Sequence, residues 1–150
     1  MAHTYTNLWT HALFSTKDRE RFLDRELKAR LFPYMAGIIE NLKGQALLIN
    51  GPADHVHMLF VLPADLALAE LVKKVKANSS RWVHENWPSR ARFAWQTGYA
   101  AFSVSQSKVG EVKRYLANQE QHHRKVTSQE EVLAFLKKHG IRYDLRYVFT

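Results

Sequence analysis

Gln45-Ala46-Leu47-Leu48-Ile49-Asn50-Gly51-Pro52-Ala53-Asp54-His55-Val56-His57-Met58-Leu59-Phe60-Val61-Leu62 is the stretch from which the fold can be read. Two short apolar runs, Gln45 to Asn50 and Val56 to Leu62, flank Gly51-Pro52-Ala53-Asp54, a turn by composition. The pair reads as a β-hairpin whose second strand is apolar on both faces and therefore largely buried. Into that strand are set His55 and His57. Side chains two apart on a strand project from the same face, so both imidazoles can reach one ion.

Working outward, Asn7 to Phe14 reads as a first strand. Residues 20 to 42 carry Leu23, Leu27, Leu31, Tyr34, Met35, Ile38 and Leu42 at helical spacing. Pro33 is expected to kink or split that helix, and Gly44 to stop it. After the hairpin, Asp65 is a candidate cap for a helix with Leu68, Leu71, Val72 and Val75 on its apolar side. That helix runs toward His84 and ends at Trp87-Pro88-Ser89. Tyr99 to Val104 is a fourth strand, followed by a helix from about Lys108 to His123. A last helix starts at Ser128, where Glu131 three residues on reads as a capping box, and ends before Gly140. The aromatic tail, Ile141 to Thr150, is expected to pack.

The order strand, helix, strand, strand, helix, strand is the split βαβ order. The expected class is therefore α+β: a ferredoxin-like antiparallel sheet with two additional C-terminal helices. The first two helices would cover one face. The other face needs a later helix, a second subunit or a nucleic acid.

The 150 residues fit one domain, 1–150, with a substantial core. There are 46% apolar and 24% charged residues, and no apolar run long enough for a membrane span. The absence of cysteine excludes disulfides and thiolate zinc sites. Met1-Ala2-His3-Thr4-Tyr5 lacks the basic-then-apolar layout of a signal peptide, and a cytoplasmic location is expected. A formal charge of +8 favours a polyanionic partner.

Two buried imidazoles side by side need a partner, because unsatisfied buried polar groups are costly. A metal would satisfy both; a solvent-facing pair would need none. On the helix after the fourth strand, Val109, Val112 and Leu116 form an apolar stripe. Gln119 falls about 20° from Val112 and Tyr115 about 60° to its side, at 100° per residue. Four residues apart, they share a face. Tyr115 is a possible nucleophile and Gln119 a possible oxygen ligand; equally, Tyr115 is an ordinary core-edge tyrosine. Nitrogen and oxygen ligands with open positions suit Mg²⁺ or Mn²⁺ bound together with a phosphate. Lys73, Lys74, Lys76 and Arg81 on the second helix, and His122, His123, Arg124 and Lys125 after Gln119, are candidate contacts to a nucleic-acid phosphate backbone. A charged outer helix face is the simpler alternative for the first set. Trp82, Trp87, Phe93 and Trp95 are placed either to stack on unpaired bases or to build core.

Together these residues resemble the single-tyrosine HUH transposases of small insertion sequences, including REP-associated tyrosine transposases. The resemblance runs through His11-Ala12-Leu13-Phe14-Ser15-Thr16-Lys17-Asp18-Arg19, Asp54-His55-Val56-His57, Lys76-Ala77-Asn78-Ser79-Ser80-Arg81-Trp82, Phe93-Ala94-Trp95-Gln96-Thr97-Gly98-Tyr99 and Tyr115-Leu116-Ala117-Asn118-Gln119-Glu120-Gln121-His122-His123-Arg124. It departs at Ser128, where the family often has an aromatic residue. The resemblance implies that His55, His57 and Gln119 bind the metal and that Tyr115 is the nucleophile. It also implies a homodimer acting on single-stranded DNA with hairpin ends, cut and rejoined through a 5′-phosphotyrosine. Rival readings are a domesticated host nuclease, a non-catalytic single-stranded nucleic-acid binder, and a metal-dependent hydrolase without a covalent step. An RNA-recognition module would need a Lys/Arg-Gly-Phe-rich strand that is not found here.

Overall fold

The computed structural model describes residues 3–119 and 126–150. Its elements are β1 (Leu8–Ser15), α1 (Arg25–Asn41), β2 (Gln45–Asn50), β3 (His55–Leu62), α2 (Leu68–Asn86), β4 (Ala100–Ser103), α3 (Val109–Ala117) and α4 (Ser128–Lys138). The strands form one antiparallel sheet in the order β2-β3-β1-β4. This is the ferredoxin-like arrangement, with α3 carrying Tyr115.

Strand alternation divides the sheet into two faces with different tasks. Ala12 and Phe14 of β1 stand opposite Met58 and Val56 of β3. With Phe60 they meet Leu27, Leu31, Met35 and Ile39 of α1 and Leu71, Val72, Val75 and Val83 of α2 in the main core. The other face presents His11 and Leu13 of β1, His55, His57 and Leu59 of β3, and Phe102 of β4. Later helices cover it. Val109 and Leu116 of α3 pack on Leu59, and Leu136 of α4 packs on Leu13 and Phe102. Each such buried side chain contributes about 1.5–3 kcal/mol, enough for a few to dock a short helix.

Local expectations differ from the structure at several points. The first helix begins at Arg25, where the Asp24 carboxylate accepts from the Leu27 amide at 2.9 Å. It runs unbroken through Pro33. Pro33 and Ala29, whose carbonyl loses its usual donor, both lie on the exposed side, and the buried stripe holds the helix on either side of them. Lys43, not Gly44, takes the left-handed turn, at φ 72°. Gly44 serves close approach instead: a Cβ there would lie 2.9 Å from Ile39 Cγ2 and 3.0 Å from the Val61 carbonyl oxygen. Asp65 does not cap α2, which starts behind Ala67 without a side-chain acceptor. The third helix ends at Ala117 rather than His123; residues 120–125 of that expected helix lie outside the described residues. The cap of α4 is Thr127, whose hydroxyl accepts from the Glu130 amide at 3.2 Å. The expected capping box is thus displaced by one residue, and Ser128 and Glu131 are used elsewhere. The tail packs only in part: Tyr143 and Val148 join the α4 cluster and the Thr150 carbonyl accepts from Gln96 Nε2 at 2.6 Å, whereas Ile141, Leu145 and Tyr147 are exposed.

Gly51 fixes the turn that delivers β3. A Cβ there would stand 2.2 Å from the His55 carbonyl oxygen, a backbone atom that cannot step aside alone. Gly37, inside α1, has open space around it. We expect Gly51→Ala to lower unfolding free energy by about 1–3 kcal/mol. Gly37→Ala should raise it by about 0.5–1 kcal/mol. Urea midpoints with unchanged m values check both.

Candidate metal and nucleophile site

Between α3 and α4, over the centre of the sheet, five polar side chains converge. β3 supplies His55 and His57, both buried. Their Nε2 atoms lie 3.2 Å apart. Glu131, from the first turn of α4, sends one carboxylate oxygen between them, 2.9 Å from His55 Nε2 and 2.8 Å from His57 Nε2. The Tyr115 hydroxyl donates to the other carboxylate oxygen. Gln119 Nε2 donates to that same oxygen at 3.2 Å.

Second contacts set the histidine tautomers. The Asp54 carboxylate faces His55 Nδ1 at 2.9 Å, and Ser128 Oγ donates to the same carboxylate at 2.9 Å. Burial alone would raise the Asp54 pKa, but the hydrogen bonds from His55 and Ser128 hold it below its usual value. A proton on His55 Nδ1 therefore turns the Nε2 lone pair toward Glu131. On His57 the partner is His11, whose Nε2 lies 2.8 Å from His57 Nδ1. Burial, reinforced by His57, lowers the His11 pKa well below its usual value. His11 is thus neutral, and where it accepts at Nε2 the Nε2 lone pair of His57 faces Glu131 as well.

Two imidazole nitrogens and a carboxylate oxygen, within 4.8 Å of one another, then form a cluster of acceptors. Such a cluster repels itself unless a proton or cation lies between its members. The proton solution shows in His55: burial would lower its pKa, but Asp54 and Glu131 outweigh burial and raise it. A divalent cation fits the same donors, since nitrogen and carboxylate ligands with supporting second contacts are what such ions bind. Tyr115 stands beside that position. Burial, and next the hydrogen bond to and charge of Glu131, push its phenol well above the usual range, so it is held protonated.

The structure thus brings His55, His57, Tyr115 and Gln119 together, with Gln119 on Glu131 rather than on the imidazoles. Lys73, Lys74 and Arg81 are exposed on α2, across the sheet from the histidines. Lys76 donates to the carbonyls of Gln96, Thr97 and Gly98 at 2.9, 3.2 and 2.5 Å, fastening that loop to α2. His122, His123, Arg124 and Lys125 lie outside the described residues. Trp82 stacks on Tyr34, Trp95 meets Phe14 edge-on, and Phe93 is buried, so these aromatics build the interior. Sequence reading missed Glu131, Asp54 and His11 as members of the site. For Glu131 a signal was present: it precedes Phe135 by one helical turn, on the same inward stripe as Val132 and Leu136.

Residues 4–119 match the profile of the IS200-like transposases. The chain belongs to that family. It is 24% identical over 124 residues to the transposase for insertion sequence element IS200 of Salmonella typhimurium, covering 79% of this chain and 81% of the relative. The Salmonella typhi transposase matches equally. Among solved structures, a candidate transposase from Deinococcus radiodurans R1 superposes with a TM-score of 0.64 at 21% identity, over 79% of this chain and 96% of that one. A REP-associated tyrosine transposase bound to a REP hairpin superposes with a TM-score of 0.57 at 10% identity, over 83% and 72% of the two chains. These structural likenesses establish the shared fold. Among the described residues, no helix of this family member is long and apolar enough to cross a membrane.

If Asp54 orients His55, Asp54→Ala should weaken Mn²⁺ binding about 10- to 100-fold. Electron paramagnetic resonance titration of free Mn²⁺ measures this directly. Glu131→Ala, which removes a donor atom, should cost more.

Proposed function

We propose that this chain cleaves and rejoins single-stranded DNA at insertion-sequence ends through a 5′-phosphotyrosine on Tyr115. The observation that carries the reading is the hydrogen bond from the Tyr115 hydroxyl to a carboxylate that also spans both imidazoles. Nucleophile, proton acceptor and ligand set share one side chain. That arrangement suits covalent catalysis beside a metal better than simple binding.

In this reading His55, His57 and Glu131 hold Mg²⁺ or Mn²⁺. Gln119, expected as the third ligand, instead steadies the carboxylate that takes that place. A divalent ion bound there supplies charge neutralisation and polarisation of the scissile phosphate. Tyr115 oxygen attacks phosphorus in line while its proton passes to Glu131. The bond to the upstream 3′-oxygen breaks, and that oxygen leaves as a hydroxyl after taking a proton from solvent. A 3′-hydroxyl from another strand then attacks the phosphotyrosine, and Tyr115 recovers its proton from Glu131. The phosphodiester energy is kept in the tyrosine ester, so no nucleotide triphosphate is consumed.

The family favours DNA as partner, as do the +8 charge and the hairpin held by the REP-associated relative. We further propose that residues 1–150 work as one domain, in a homodimer, on DNA with hairpin ends. Lys73, Lys74 and Arg81 would then track duplex or flanking strand on the far side of the sheet. His122, His123, Arg124 and Lys125 would add contacts to DNA phosphates.

With Mn²⁺ and a single-stranded insertion-sequence end, wild-type protein should form a covalent adduct visible on a denaturing gel. Tyr115→Phe should abolish it. His57→Ala should lower cleavage at least 100-fold while leaving DNA binding within a few-fold. Adduct formation by Tyr115→Phe would remove Tyr115 from the role. Full activity of His57→Ala would favour a metal-free mechanism.

A further inference from the structure

A strand that runs past its neighbour must be held by something else. β4 pairs with β1 only from Thr10 to Leu13. Beyond that point the loop before β4 takes over. The Gln96 amide donates to the Ser15 carbonyl at 2.9 Å, and Gln96 Oε1 accepts from the Ser15 amide at 2.5 Å. The Lys17 amide donates to the Ala94 carbonyl at 2.9 Å. On its other side the same strand end meets the histidine hairpin. Ser15 pairs with His55, and the Asp54 carbonyl accepts from the Thr16 amide at 2.9 Å. Loop 94–98 and the Asp54–His55 backbone thus grip one short piece of chain from opposite sides.

The loop lies outside the regular ladder and needs support of its own. Lys76 of α2 supplies it. Its ammonium donates to three successive carbonyls, those of Gln96, Thr97 and Gly98, at 2.9, 3.2 and 2.5 Å. Three carbonyl oxygens aimed at one point repel one another unless a cation lies among them. A lysine ammonium brings a charge and three donors, one for each oxygen. Among the described residues no carboxylate pairs with Lys76. Its remaining neighbours are aromatic faces, Phe14 at 4.8 Å and Tyr99 at 5.8 Å. Trp95 adds a second tie to α2, from Nε1 to Ser79 Oγ at 2.9 Å.

We propose that Lys76 is a positioning residue for the metal site. Through the carbonyls of residues 96–98 and the Gln96 side chain, it fixes the end of β1 against Asp54 and His55. It thereby sets how His55 meets an ion, although it stands on the opposite face of the sheet. This rests on the metal site proposed above and deepens it.

The charge of Lys76 suggests a different task, contact with a DNA phosphate. The geometry opposes that task. All three donors are engaged, so a phosphate would have to displace the carbonyls. Lys73, one turn earlier on α2 and exposed, borders the same groove and is better placed for DNA.

The test begins without DNA, so that phosphate contacts play no part. Free Mn²⁺ is titrated by electron paramagnetic resonance, and amide exchange at Ser15 is followed by NMR in the metal-free protein. We expect Lys76→Met to weaken Mn²⁺ binding about tenfold. It should also speed Ser15 exchange while amides of the α1–α2 core stay protected. Lys76→Ala should behave alike, and methylammonium chloride should restore most of its loss by returning a charge and three donors to the carbonyls. Tetramethylammonium chloride, charged but without a donor, should restore nothing. Gln96→Ala keeps the backbone carbonyls for Lys76 and cuts only the side-chain hold on Ser15. It should reproduce both changes, and it carries the test if the Lys76 variants fail to fold. Unchanged Mn²⁺ affinity in Lys76→Met or Gln96→Ala would overturn the proposal, as would a loss that methylammonium leaves unrepaired. A loss of DNA affinity alone would make Lys76 a phosphate contact and overturn it too. Absence of Mn²⁺ binding by wild-type protein would sink the metal reading. Ser15 exchange and the His55 Nδ1 resonance, both read without metal, would then decide whether Lys76 positions the strand end: changed values uphold it, unchanged values end it.

Discussion

A single buried carboxylate organises the histidine-bearing side of this protein. Glu131 is almost wholly enclosed, and an isolated carboxylate in that position would be prohibitively costly. The cost is offset by four neighbours: two imidazoles on one oxygen, a phenol and an amide on the other. Its place in the first turn of α4 adds the favourable end of the helix dipole. Because these partners come from β3, α3 and the stretch just after α3, the carboxylate also fixes how those segments lie on the sheet. Ser128 reinforces the docking by tying the start of α4 to Asp54, the residue that orients His55.

The sheet separates stability from chemistry. Its α1–α2 face is apolar and closed, and it holds most of the core. Its other face is only partly apolar. There α3 and α4 each rest on a small cluster, and between the two clusters the histidines, Glu131 and Tyr115 meet. A short helix resting on a few side chains suits the role proposed for Tyr115, because modest rearrangement leaves the main core intact. Asn50 Nδ2 donates to the Leu116 carbonyl at 2.9 Å and satisfies one carbonyl in the last turn of α3. That bond links the hairpin of the histidines to the helix of the tyrosine.

Much of this was legible in the residues. Alternation and helical spacing sufficed for the main strands and helices among the described residues and for their order, and order implied the split βαβ sheet. The His55–Val56–His57 pattern and the Tyr115–Gln119 spacing pointed to the site because both depend only on local periodicity. What stayed hidden was non-local. Glu131 follows a serine at a spacing that also describes a helix cap, and nothing within α4 says that Thr127 caps instead. His11 and Asp54 act through pairings across the sheet and onto α4, which a single strand does not reveal. Pro33 misled because a local penalty was outweighed by a buried stripe on both sides of it. Lys76 looked like a phosphate contact by charge, yet its three carbonyl partners are brought to it by the fold.

Anomalous scattering from a crystal of the full chain soaked in Mn²⁺ tests the central claim most directly. The account predicts one strong peak within bonding distance of the Nε2 atoms of His55 and His57 and of a Glu131 oxygen, with the Tyr115 hydroxyl next to it. A peak elsewhere, or a Glu131 side chain turned away from an ion held by the two histidines, would contradict it.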